Sequence, residues 1–99
     1  MPVPLLTEAA WMRQVTDLAR IRGWKLFHPH WSMHSEPGWP DLALVRTPRF
    51  VLSELKTDRP SSKLTAKQEE WLELLRTIPG IEVYVWRPSD FDDMREVLW

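Results

Sequence analysis

The apolar and polar positions of the chain fall into two periods. Trp11, Val15, Leu18 and Ile21 recur at helical spacing and predict an amphipathic first helix. Thr7 is its N-cap, the helix runs to about Arg22, and Gly23 is its stop. Trp24–His28 reads as a short strand, and Pro29 to Gly38 as a loop punctuated by Pro29, Ser32, Ser35, Pro37 and Gly38. Leu42–Val45 and Phe50–Leu55 are apolar, partly β-branched runs that predict two strands, joined by the turn Arg46-Thr47-Pro48-Arg49. Asp58–Ser62 reads as a second loop. Thr65 caps a helix to about Thr77 that ends at Pro79-Gly80, and Ile81–Trp86 is an apolar strand. Pro88-Ser89 leads into a last short helix, with Ser89 as cap and Asp90 in its first turn. The predicted order, α-β-β-β-α-β-α, implies an α/β fold: one central mixed sheet flanked by helices.

The hairpin register follows from its turn. If Arg46–Arg49 form the turn, Val45 faces Phe50, Ala43 faces Leu52 and Asp41 faces Glu54. Directly opposed side chains share a face with Cβ atoms roughly 5 Å apart. Lys56 lies two residues further along that face. Phe50 and Leu52 are then expected in the buried part of the face, with Asp41, Glu54 and Lys56 at its open end. Two like charges directly opposed destabilise a sheet. A hard divalent cation with oxygen ligands reverses that penalty. Each piece also has a plain structural reading: Pro-Asp is a common turn pair, and Glu-x-Lys on a strand can be a solvated ion pair. A slip of one residue would send the two acids to opposite faces.

Composition narrows the picture. The chain has 99 residues, the size of one domain over 1–99 with an adequate but not generous core. It has 7 tryptophans, most expected in the core and some at a dimer interface or against a ligand. With no cysteine there is no disulfide or thiolate metal site. The first residues show no signal-peptide pattern and no apolar run is long enough to span a membrane, so a cytoplasmic protein with no membrane partner is expected. A net charge of −1 argues against a general nucleic-acid coat. It permits an enzyme with a local basic patch, and Arg46, Arg49, Lys56, Arg59, Lys63 and Lys67 make the middle of the chain basic.

Gly38-Trp39-Pro40-Asp41, Glu54-Leu55-Lys56 and the stretch from Leu64 to Leu72 that includes Gln68 together resemble the VRR-NUC family. That family belongs to the PD-(D/E)xK superfamily of restriction-endonuclease-like nucleases. The resemblance extends from about Thr7 to Leu98, and the Gly23-Trp24 and Val83–Pro88 segments are similar to small stand-alone phage and bacterial members. It implies an αβββαβ core and a Mg²⁺- or Mn²⁺-dependent nuclease acting on branched or otherwise structured DNA. It also implies a homodimer of Holliday-junction-resolvase type, in a bacterial or phage-infected host cell. By resemblance, Asp41 and Glu54 ligate the metal, the carbonyl of Leu55 adds a third protein oxygen, and Lys56 takes the lysine position.

Further residues carry two readings each. Gln68 fits a capping box with Thr65, yet it shares a stripe with Trp71, Leu72 and Leu75, and the family places a glutamine near the active site. Glu8 suits the positive end of its helix, yet it begins the stripe of Trp11, Met12 and Val15. Superfamily members often supply an acid to the metal or its waters from this helix. Arg59, Ser61, Ser62, Lys63 and Lys67 are expected to meet DNA phosphates near a helix N-terminus, or else to form a solvated loop. His28 is a phosphate contact or a polar loop residue. His28, His30 and His34 lack a fourth ligand for zinc. Trp31 and Trp39 pack the loop or stack on an unpaired base. The competing functional readings are a non-catalytic nucleic-acid-binding module and a phage accessory interaction protein on the same fold.

Overall fold

The computed structural model describes residues 5–29 and 36–99. Seven main elements follow one another: α1 (Glu8–Ile21), β1 (Lys25–Phe27), β2 (Leu42–Arg46), β3 (Arg49–Leu55), α2 (Ala66–Arg76), β4 (Ile81–Trp86) and α3 (Phe91–Leu98). A 3₁₀ turn, Pro88–Asp90, precedes α3. The strands form one mixed sheet in the order β1-β2-β3-β4. β1, β2 and β3 are antiparallel neighbours, and β4 runs parallel to β3 through the α2 crossover. Among the described residues no helix is long and apolar enough to cross a membrane.

The hairpin register is the expected one. Val45 pairs with Phe50, Ala43 with Leu52 and Leu42 with Ser53, which leaves Asp41 opposite Glu54. The turn is tighter than the sequence suggested, because Arg46 and Arg49 themselves pair and only Thr47 and Pro48, joined by a cis peptide bond, lie outside the ladder. Removing one pair from the turn and adding it to the ladder leaves every other partner unchanged.

Alternation sorts the sheet into two faces. Leu42, Leu44, Val51, Leu55 and Trp86 meet Trp11, Val15 and Ala19 of α1 and Met94 and Leu98 of α3 in one buried cluster. Two indoles fasten this layer: Trp11 Nε1 donates to the Trp86 carbonyl and Trp24 Nε1 to the Leu98 carbonyl, both at 3.0 Å. The other face carries Leu52 and Glu54 beneath α2, whose Leu72 and Leu75 are buried.

Several expectations are corrected. Ile21 is 77% exposed, because 3.6 residues per turn carry it roughly 80° round the helix from Trp11; Ala19 closes the stripe instead. Phe50 is 38% exposed, although Leu52 two residues along the same face is buried, because the cover over this face stops short of the turn end of β3. Among the described tryptophans, Trp11, Trp24 and Trp86 are buried, Trp71 is half-buried, and Trp39 and Trp99 are exposed. Ser89 does not cap α3. Its N–H and hydroxyl both donate to Asp58, and the Asp90 side chain instead accepts from the Arg87 N–H.

Candidate active site

The N-terminal turns of α1 and α2 converge on the C-terminal end of β3, where an open cleft of about 490 Å³ is lined by Glu8, Met12, His28, Asp41, Glu54 and Lys56. Trp11, Ala9, Leu55 and Gln68 complete its wall. Each helix begins there because a threonine caps it. Thr7 Oγ1 accepts from the Ala10 N–H at 3.1 Å, and Thr65 Oγ1 accepts from the Gln68 N–H at 3.1 Å.

Glu54 is the centre of the site. It is only 2% exposed. Gln68 Nε2 donates to its Oε1 at 3.2 Å, while Oε2 meets no donor. Burial first, then the close approach of the Asp41 carboxylate, push the Glu54 carboxyl up to about 9. Lys56 opposes that shift and Glu8 adds to it, so both charges bear on the same carboxyl. Asp41 is held differently: its Oδ2 accepts from the Leu55 N–H at 2.9 Å. One acid is therefore tethered to the neighbouring strand's backbone, and the other to a helix side chain.

Gln68 performs both of the roles expected of it. Its Oε1 accepts from the Thr65 N–H at 2.9 Å while its Nε2 reaches Glu54. The capping box fixes which end of the amide faces the carboxylate. His28 Nδ1 lies 3.1 Å from the Asp41 carbonyl. A carbonyl only accepts, so this nitrogen carries the proton.

The remaining expected residues are spread more widely. Arg59, Ser61 and Ser62 line an adjoining cleft of about 470 Å³ with Thr7, Glu8, Ala9 and Thr57. Their loop is braced from beneath. Arg87 Nη1 donates to the carbonyls of Thr57 and Ser62, and the Thr57 N–H donates to Ser62 Oγ. Lys63 and Lys67 are exposed and line neither cleft. His30, Trp31 and His34 lie outside the described residues. Trp39 packs edge-on against Trp71, with ring centroids 5.0 Å apart.

Contributors that the sequence did not mark include Met12 in the cleft wall, Thr57 in the second cleft, and the Arg87 brace. Arg87 stands far from the loop in sequence, so no local signal marks it.

Among the described residues no group of three or more histidine, aspartate or glutamate side chains is gathered to hold a metal. Glu8 thus belongs to the cleft without joining a three-acid cluster. The pair nevertheless fits a hard divalent cation. An orphaned, buried carboxylate oxygen beside a second carboxylate is the donor set that Mg²⁺ takes, its other positions being filled by water and phosphate. No model of a known protein family, no curated protein and no solved structure matches the chain.

Proposed function

We propose that this chain is a metal-dependent endonuclease that hydrolyses phosphodiester bonds in branched or structured DNA, with Mg²⁺ or Mn²⁺ held by Asp41 and Glu54 and by the carbonyl of Leu55. The observation that carries the reading is the Glu54 carboxyl, buried with one oxygen unpartnered against Asp41, in a cleft open to solvent. A fold gains nothing from such a group by itself: burying an acid beside another acid costs free energy that a hydrophobic residue would not. The resemblance of the Pro40-Asp41, Glu54-x-Lys56 and Gln68 segments to VRR-NUC nucleases supports the same chemistry.

A cation bound there supplies Lewis-acid chemistry, acidifying a water and neutralising charge on the phosphate. The chain's own groups do the rest. Asp41, fixed at one oxygen by the Leu55 N–H, lines the cleft. Gln68 holds Glu54 Oε1 and so leaves Oε2 to ligate. Lys56, in the cleft wall, orients the attacking water and meets the non-bridging phosphate oxygens as negative charge grows on them. The water oxygen forms the new bond to phosphorus and gives up a proton to solvent, and the ester oxygen whose bond to phosphorus breaks leaves and takes up a proton from solvent. Arg59, Ser61 and Ser62 in the second cleft take a neighbouring phosphate. Lys63, Lys67 and His28 provide further backbone contacts.

A homodimer belongs to the same proposal. Phe27, Val45 and Phe50 are 65%, 42% and 38% exposed on the part of the sheet that α2 leaves open, a face suited to a second copy. A cytoplasmic location in a bacterial or phage-infected cell goes with it.

The test is Mg²⁺-dependent cutting of labelled four-way junction, flap, nicked and linear DNA by wild type and Asp41→Ala. Metal-dependent cutting lost in the variant supports the proposal. Binding of DNA without cutting would replace it with a non-catalytic binding module, and neither activity with an interaction protein. Sedimentation velocity tests the dimer.

A further inference from the structure

Gly38 sits where no other residue fits. A methyl group added to it would lie 2.6 Å from both the carbonyl carbon and oxygen of Lys67 and 2.9 Å from the backbone nitrogen of Gln68. These are backbone atoms of the first turn of α2 and cannot swing aside. Gly38 also has φ of +91°, a conformation that side chains disfavour. The loop before β2 is thus seated directly on the Lys67–Gln68 peptide.

Contacts on either side of this seat lead to the two acids. Downstream of Gly38, Trp39 packs on Trp71, Pro40 is fully buried, and Asp41 follows at the head of β2. Upstream, the Pro37 carbonyl accepts from Trp71 Nε1 at 3.1 Å. Across the seat, Gln68 is locked by Thr65 and donates to Glu54. Asp41 comes from the loop and Glu54 is held by the helix, and the supports of both meet at one peptide.

We infer that Gly38 is a positioning residue: by letting the loop rest on the Lys67–Gln68 peptide, it sets the separation of Asp41 and Glu54. The inference rests on the proposal that these acids hold a divalent cation.

The protein supplies its own controls. Gly23 and Gly80 have φ of +81° and +84°, with no atom within 4 Å of an added Cβ. Gly23→Ala and Gly80→Ala therefore carry the conformational penalty without the clash. Each variant is titrated with Mn²⁺ and followed by thermal shift. The Gln68 side-chain amide resonance, assigned by its loss in Gln68→Ala, is followed by ¹⁵N–¹H NMR. The expected result is a roughly 10–100-fold loss of Mn²⁺ affinity in Gly38→Ala, the range for removing a support behind a ligand, with a displaced Gln68 amide signal. Both controls keep wild-type affinity and an unmoved signal. A folded Gly38→Ala that matches the controls in both readouts overturns the inference. If Gly38→Ala does not fold while the controls do, Trp71→Phe decides. It removes the hydrogen bond to Pro37 and does not line the cleft, and weakened Mn²⁺ binding in the folded variant supports the seat, whereas unchanged binding overturns it. If wild type itself shows no Mn²⁺ response, the metal proposal fails, and the Gln68 signal alone judges Gly38.

Discussion

The two ends of the β2–β3 hairpin carry like charges opposite one another under contrary conditions. At the turn end, Arg46 pairs with Arg49 across the ladder. Every charge there is answered. Arg49 donates to Glu82 through Nε at 2.7 Å and Nη2 at 2.6 Å, and to the Val97 carbonyl at 2.8 Å. Arg46 donates to the carbonyls of Arg22, Leu98 and Trp99, and both guanidinium groups lie over the Trp24 ring. The last carbonyls of α3 are satisfied in this way. Tyr84 adds a hydrogen bond to Glu82, and Arg49 holds the Glu82 carboxyl below its usual range. At the open end, Asp41 and Glu54 face each other with one oxygen orphaned. Charges with partners hold the fold together. The buried Glu54 carboxyl, with one oxygen unpartnered, is the feature on which the proposed metal site rests.

The comparison can be broken most sharply in activity. Glu54→Ala should lower metal-dependent cleavage by roughly a hundredfold or more, measured on the preferred DNA substrate. Arg49→Ala should leave the cleavage rate of the folded protein unchanged.

Stability should move in opposite directions at the two ends. Glu54→Gln keeps the shape and removes the proton uptake that folding demands of Glu54, so the metal-free protein should be stabilised near pH 8 and lose its Mn²⁺-induced thermal shift. The sign follows from linkage. The Glu54 carboxyl is raised from 4.5 to about 9. Its contribution to stability is whole below the unfolded value and drains away as pH climbs towards the folded one. In EDTA, melting temperature should therefore fall between about pH 5 and pH 9 in wild type, and the slope should flatten in Glu54→Gln. An unchanged slope would show that Glu54 is not the group responsible.

Arg49→Ala should cost about 1–2 kcal/mol in urea denaturation, because its bonds to Glu82 and to the α3 terminus are partly solvent-screened. Thr65→Ala should cost about 1 kcal/mol for the lost cap. It should leave Mn²⁺ affinity largely unchanged, because the bond that orients the Gln68 amide comes from the Thr65 backbone N–H, which alanine keeps. A marked loss of metal affinity would show that Gln68 depends on the threonine hydroxyl as well.

Much of this was legible in the chain. The strand register could be read because Ala43, Leu52 and their neighbours alternate around a short turn, and alternation permits no half-measures. Thr65 and Gln68 stand three residues apart, so their capping box is a local fact. Ile21 and Phe50 were misread for different reasons. Ile21 lies off the arc of α1 that Trp11, Val15 and Ala19 bury, whereas the alternation that marks Phe50 as apolar cannot say where the layer above its strand stops.

The sequence alone determined the elements, their order and the opposition of Asp41 to Glu54, because these depend on spacing along one hairpin and on local caps. Only the tertiary structure decided that Glu54 is buried and half-partnered, that Arg87 braces the loop after Lys56, and that Gly38 rests on the peptide before Gln68. Each of those contacts joins segments remote along the chain, and their distances are set by how α2 and the loop before β2 pack on the sheet, which no local pattern encodes.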